Sequence, residues 1–298
     1  MTDELIQTNG ITLHYLDHPG DGPALVLLPG ITANANAFDG LVAAGLSPRF
    51  RVLALDLRGR GRTDAPPAGH DPDAPAANYT MADHAADVLG VLDALGVEQA
   101  VLGGHSFGGM LTMHMASSYP ERFPKFVVID SSLSLPTQAT YDIIRPSLAR
   151  LRMVVPSFDA YLAAIKQAPY FDGWWDADVE SYYRADVRDN PDGTVQPRAR
   201  PESIDAAFQG LLLEDWPALL AGARQPSILL HADGAYGPPG APPVVARDQA
   251  LATVAALPNC RYVQVPGNHM TMLYAEGARR IVETIEAFVA GDGAAAGA

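Results

Sequence analysis

The stretch Val101-Leu-Gly-Gly-His-Ser-Phe-Gly-Gly-Met110 places one serine between two pairs of glycines, directly after a short apolar run. Within it, Gly104-His105-Ser106-Phe107-Gly108 matches the pattern G-x-S-x-G, and the residues that follow, Met110 to Ser118, suit a helix. A serine between a strand and a helix must take the chain round a very tight corner, which flanking glycines permit because they lack a Cβ. Held that way, the hydroxyl of Ser106 projects from the corner instead of packing beneath it. A strand before and a helix after are what separate a candidate nucleophile from an ordinary glycine-serine loop.

The rest of the chain supplies a matching frame. Glu4 to Gln7 and Ile11 to Tyr15 alternate in polarity around Asn9-Gly10, a two-residue hairpin signal. Short continuous apolar runs follow at Ala24 to Leu28, Arg51 to Leu55, Ala100 to Leu102, Phe126 to Ile129, Ser227 to Leu230 and Arg261 to Val265. Such runs predict strands buried on both faces, as in a parallel sheet. Between them lie helical patterns: Thr80 with Asp83 forms a capping-box signature ahead of Met81, Ala85, Val88, Leu92 and Leu95, and Glu276 to Ala290 carries Ile281, Ile285, Phe288 and Val289 on one side. Alternating strand and helix predict an α/β core with a mostly parallel, eight-stranded sheet.

One segment breaks the rhythm. From Ser134 to Trp216 there is no short apolar strand, while Tyr170, Phe171, Trp174, Trp175, Tyr182 and Tyr183 cluster with several prolines. We read residues 134–216 as an inserted, mainly helical cap, with the core made of 1–133 and 217–290. The small, glycine-rich residues 291–298 read as a frayed tail. Trp174 and Trp175, with Asn34 nearer the N-terminus, are candidate substrate contacts; Arg145, Arg150 and Arg152 are candidate carboxylate holders.

Composition narrows the partners. The 298 residues carry 34 acidic against 20 basic side chains, a formal charge of -14, which argues against nonspecific binding to nucleic acid or to an anionic membrane. Cys260 is the single cysteine, so no internal disulfide is possible. The N-terminal MTDELIQTNG is acidic where a secretion signal is basic and then apolar, and no run approaches the roughly 20 apolar residues of a membrane span. We therefore expect a cytoplasmic protein, a monomer or homodimer, acting on a small molecule.

A serine hydroxyl is a poor nucleophile near neutrality and needs a base that is itself oriented. Of eight histidines, His269 is the candidate, because Val265-Pro-Gly-Asn-His-Met270 follows the last strand and projects from the same sheet edge as Ser106. His14 and His18 lie in the hairpin, His70 in a proline-rich loop, and His84 and His114 on helices. His105 reads as a support for the turn, and His231, near a strand end, is the rival base.

Together, Leu28-Pro-Gly-Ile31, Asp56-Leu-Arg-Gly-Arg-Gly-Arg-Thr-Asp64, the Ser106 corner, Ile129-Asp130 and Gly267-Asn-His269 make the chain resemble the α/β-hydrolase fold superfamily over nearly its whole length. The resemblance implies a capped hydrolase that uses neither cofactor nor metal, with the order serine, acid, histidine. It also implies an oxyanion hole from the amides of Phe107 and Ile31, although Pro29-Gly30 stands where many relatives have His-Gly. The three arginines among glycines in Asp56–Asp64 suggest an anion site; in this fold such loops usually tie neighbouring loops together.

The acid is the open point. Many relatives carry it after the penultimate strand, but aligning Leu229-Leu-His-Ala-Asp-Gly-Ala235 with that pattern puts Ala235 where the aspartate belongs. Asp233 remains in reach of a shifted loop. Asp130, at the carboxyl end of the strand after the serine helix, occupies the other position used in the superfamily, and is preferred to Asp233 or Asp248. A serine nucleophile argues against haloalkane dehalogenase and epoxide hydrolase chemistry, which uses aspartate. An ester or lactone, or an amide, is the expected substrate. Carbon–carbon bond hydrolysis of ring-fission diketones and a non-catalytic ligand receptor are the alternatives.

Overall fold

A computed structural model of the chain describes residues 1–68, 74 and 76–291. His70 and nearly all of the expected tail lie outside the described residues. The hairpin forms as the sequence predicts: β1 (Thr2–Thr8) pairs antiparallel with β2 (Ile11–His18). Both turn residues take positive φ, 46° at Asn9 and 76° at Gly10, which the asparagine-glycine pair accommodates.

The remaining strands of the main sheet are β3 (Ala24–Leu28), β4 (Arg51–Leu55), β5 (Val101–His105), β6 (Lys125–Ile129), β9 (Ser227–His231) and β10 (Cys260–Gln264). Their order is β1-β2-β4-β3-β5-β6-β9-β10. From β4 to β10 every neighbouring pair is parallel, so the carboxyl ends of β3, β5, β6, β9 and β10 open on one edge. The apolar runs are buried as predicted in β3, β4, β5, β6 and β9. β10 is the exception, because it is an edge strand with only one neighbour and its side chains are half-buried or exposed.

Alternate residues of each central strand feed two cores. Leu102, Val128 and Leu229 pack with Val88, Val91 and Leu111 on one face; Leu27, Val127 and Ile228 pack with Leu41, Ile281 and Ile285 on the other. The Met81–Ala94 helix starts where its capping box predicts: Thr80 Oγ1 accepts from the Asp83 amide, and the Asp83 carboxylate accepts from the Thr80 amide.

Between β6 and β9 the chain runs through helices Gln138–Ile144, Phe158–Ile165, Ala177–Asp186, Pro201–Leu212 and Trp216–Gly222. The same stretch holds a two-stranded ribbon, β7 (Val187–Asp189) against β8 (Val195–Pro197), which sequence patterning misses because three-residue strands are too short for a period. Among the described residues no helix is long and apolar enough to cross a membrane.

Candidate active site

Ser106 sits at the junction between β5 and the Phe107–Ser118 helix with φ 55° and ψ -116°, a conformation that L-residues rarely adopt. The surroundings enforce it. The Ser106 amide donates to Ile129 O at 2.9 Å, and its carbonyl accepts from Gly109 N at 2.9 Å. Two of the flanking glycines are required by close approach: a Cβ on Gly104 would stand 2.1 Å from Gly108 O, and one on Gly108 1.9 Å from Leu28 O. The strained corner thus leaves the Ser106 side chain half-exposed in a cavity, while the residues on either side of it are buried.

His269 follows β10 on the same edge, in a loop shaped by Asn268. The Asn268 carboxamide oxygen accepts from the amides of Met270 and Thr271, both at 3.0 Å, and its nitrogen donates to Tyr170 O at 2.8 Å. Nδ1–H of His269 donates to Asp130 Oδ2 at 2.6 Å, and Asp130 is fully buried. Its other oxygen accepts from Ala232 N at 3.1 Å. Asp130 also has positive φ, 45°, so both Ser106 and the carboxylate lie at strained strand ends. The strand order explains the meeting: β6 lies between β5 and β9, so its end stands beside both the serine corner and the β9–β10 edge.

Of the three carboxylates that sequence leaves open, the structure brings Asp130 to His269, puts Asp233 on the surface, where it accepts from Gln264 Nε2 at 2.7 Å, and leaves Asp248 exposed, accepting from Gln249 N at 2.9 Å. His231 is not at the site; Nε2–H donates to Val245 O and Nδ1 accepts from Tyr262 Oη. His105 lies against His269, ring centroids 4.5 Å apart, and its Nε2–H donates to the His269 carbonyl at 2.8 Å. It therefore holds the backbone of His269. Among the described residues no hydrogen bond joins Ser106 Oγ to His269; such bonds commonly tighten only when substrate arrives.

Ser106 and His269 line one cavity of about 160 Å³, small beside the ~300–1,000 Å³ of sites for drug-sized ligands. Its walls are mainly apolar, with Met110, Leu148, Phe208 and Leu211. Ile31 and Phe107 line it too, and a Cβ on Gly30 would stand 3.6 Å from Cβ of Ser106. Neither the Ile31 nor the Phe107 amide meets an acceptor among the backbone hydrogen bonds of the described residues. Two unpartnered amides beside Ser106 are what stabilising a developing negative charge on a serine adduct would require.

The expected specificity residues lie elsewhere. Asn34 is buried, and its carboxamide is committed to the Asn36 amide and Tyr182 O. Trp175 stacks on Tyr183 at 5.9 Å beneath Lys166, within the insertion's own packing, and neither Trp174 nor Trp175 lines the cavity. Arg150 pairs with Asp186 at 2.7 Å, Arg152 pairs with Glu202 at 2.8 Å, and Arg145 is exposed. The aromatic wall is Phe107, Tyr182, Phe208 and Tyr236 instead. Tyr236 comes from the proline-rich loop after β9, stacks on Tyr170 at 4.6 Å and meets the His269 ring edge-on at 5.8 Å. In sequence that loop is marked only by its prolines, Tyr236-Gly-Pro-Pro-Gly-Ala-Pro-Pro243.

The arginine-rich loop ties neighbours together. Asp56 accepts from Ala35 N, Arg62 N and His14 Nδ1, and Arg58 clasps Asp87 through two bonds of 2.7 Å. Arg60 is fully buried; burial pushes its guanidinium down to about 9, still cationic at neutral pH.

Two buried histidines make stability depend on pH. Burial, together with the Arg60 cation beside His84 and His269 beside His105, holds both well below the ordinary 6.5. The unfolded chain then binds protons near 6.5 that the folded chain refuses, so stability falls as pH drops below that value, by up to ~1.4 kcal/mol per pH unit for each. His18 acts in the same direction, whereas His14, raised by its contact with Asp56 despite burial, acts in the opposite one. Melting temperature should fall between pH 7 and pH 5, and His84→Gln should flatten that slope; an unchanged slope would show that His84 is protonated in the fold.

A family model described as alpha/beta hydrolase fold matches residues 23–270. The chain belongs to the α/β-hydrolase fold family. It is 34 % identical over 136 residues to an N-formylmaleamate deformylase of Pseudomonas putida, covering 46 % of this chain and 47 % of that protein. It is also 34 % identical over 129 residues to a 2-(acetamidomethylene)succinate hydrolase of Mesorhizobium japonicum, covering 43 % of this chain and 42 % of that one. The chain thus spans under half the length of either curated relative. The crystal structure of an enol-lactonase from Burkholderia xenovorans superposes with a TM-score of 0.71 at 21 % identity, over 96 % of this chain and all of that one. At that identity the likeness speaks for the fold.

Proposed function

We propose that the protein is a serine hydrolase that cleaves a small carboxylic ester or lactone through an acyl-enzyme, beneath a lid formed by residues 134–216. The observation that carries this is the buried Asp130–His269 pair beside a cavity that also holds Ser106 on its strained corner. Asp130 keeps the His269 proton on Nδ1, leaving Nε2 free to take the Ser106 proton as Oγ attacks the carbonyl carbon. The amides of Ile31 and Phe107 donate to the resulting oxyanion. Collapse of the adduct expels the alkoxide, which takes the proton from Nε2; water, activated the same way, then releases the acid and restores Ser106. A relative named as a deformylase favours one variation, an amide in place of the ester.

The test combines turnover with chemical labelling. Purified protein should hydrolyse p-nitrophenyl acetate or butyrate, or open a simple lactone, and an alkyl fluorophosphonate should stop it while adding one adduct to the peptide containing Ser106. An adduct on any other residue, or protein inert to both reagents, would reject the reading.

A further inference from the structure

Arg60 has no place in that mechanism, yet it is a cation with no exposed surface, and burying an arginine is costly unless something repays it. Its Nε donates to Ile31 O at 2.9 Å, and its guanidinium carbon lies 5.0 Å from the centre of the Phe107 ring. Nη1 donates to Arg58 O at 2.6 Å and to Nε2 of His84 at 3.0 Å, while Nη2 meets no hydrogen-bond partner among the described residues. His84 in turn packs edge-on against Phe107, centroids 5.2 Å apart, and is fixed by its Nδ1–H donating to Thr80 O at 2.9 Å.

One guanidinium thus touches Ile31 and Phe107, which come from loops on different strands. Ile31 follows β3 and is held at its carbonyl; Phe107 follows β5 and is held at its ring. Pro29 and Gly30 precede Ile31, so the loop has no hydrogen-bonding side chain of its own there to brace it. A peptide N–H stabilises an oxyanion only when it is aimed beforehand, since reorientation during the reaction would consume the gain. We infer that Arg60, seated against His84, is a positioning residue that sets the Ile31 and Phe107 amides toward the oxyanion. This rests on the serine hydrolase reading of the site. A role confined to folding would not require the same cation to contact both residues.

The test uses Arg60→Met, which fills similar space without charge or donors, and Arg60→Lys, which keeps the charge but loses the forked geometry, both checked for native circular dichroism and melting. Removing a whole oxyanion donor typically costs ~10²–10³ in kcat; loss of the brace alone should lower kcat of Arg60→Met about 10- to 100-fold, with KM within about twofold. Affinity for a trifluoromethyl ketone, which forms an oxyanion on serine, should fall by the same factor, and Arg60→Lys should recover part of both. A folded Arg60→Met with unchanged kcat and ketone affinity overturns the inference while leaving the hydrolase reading intact. If Arg60→Met does not fold, Arg60→Lys decides, since parental kcat and ketone affinity there would overturn it. Wild-type protein without Ser106-dependent turnover would remove both.

Discussion

Ser106→Ala should lower kcat for p-nitrophenyl butyrate by about 10⁶-fold, as loss of the serine does in a comparable triad. The substitution deletes one oxygen and leaves a Cβ, so it should neither relieve nor worsen the positive φ of 55° that the corner imposes. The amides of Ile31 and Phe107, the Asp130–His269 bond and the cavity walls should all remain. Any residual rate over the uncatalysed reaction would then measure what oxyanion donors and binding supply without a nucleophile. Melting temperature should stay at the parental value, which separates lost chemistry from lost fold. Turnover surviving within tenfold would mean that another group attacks the carbonyl.

The second large effect falls on the acid. Asp130→Asn should cost about 10⁴-fold in kcat, because an amide nitrogen facing Nδ1 cannot accept its proton and favours the wrong tautomer of His269. The bond at stake is the one of 2.6 Å from a carboxylate with no exposed surface. Asparagine can still accept from Ala232 N through its remaining oxygen, so the strand end should hold. Asp233→Asn is the control: its partner is Gln264 at the surface, and turnover should stay within about twofold. A crippled Asp233→Asn with an active Asp130→Asn would reverse the assignment.

Much of the architecture is legible along the chain because the signals are local. Strand β5 followed by Ser106 and a helix needs only the apolar run, the glycines and the helical stretch that follows. The Asn9-Gly10 turn and the Thr80–Asp83 cap are likewise settled by residues within a few positions of one another. Where sequence reasoning lost its hold, contacts span long separations. Trp174 and Trp175 advertise hydrophobic surface, but sequence does not say which face of the insertion they cover; Trp175 turns to Tyr183 and Lys166, and neither ring lines the cavity. Asn34 and Asn36 lie just after Pro29-Gly-Ile31 in sequence, yet their carboxamides are consumed by Tyr182, Asp39 and the backbone. Tyr236 carries no periodic signal; its place beside His269 follows from the path of an irregular loop.

By itself the sequence determined the fold class, the serine corner and the histidine after the last strand, since each depends on residue types at short spacing. Only the tertiary structure decided which carboxylate His269 meets, which aromatics wall the cavity, and that Arg60 reaches both Ile31 and Phe107. Those outcomes depend on strand order, which sets β6 between β5 and β9, and on loops whose ends are fixed by the sheet while their paths are not. A hydrogen bond between Asp130 and His269, 139 positions apart, exists only once the sheet has brought their strands to one edge.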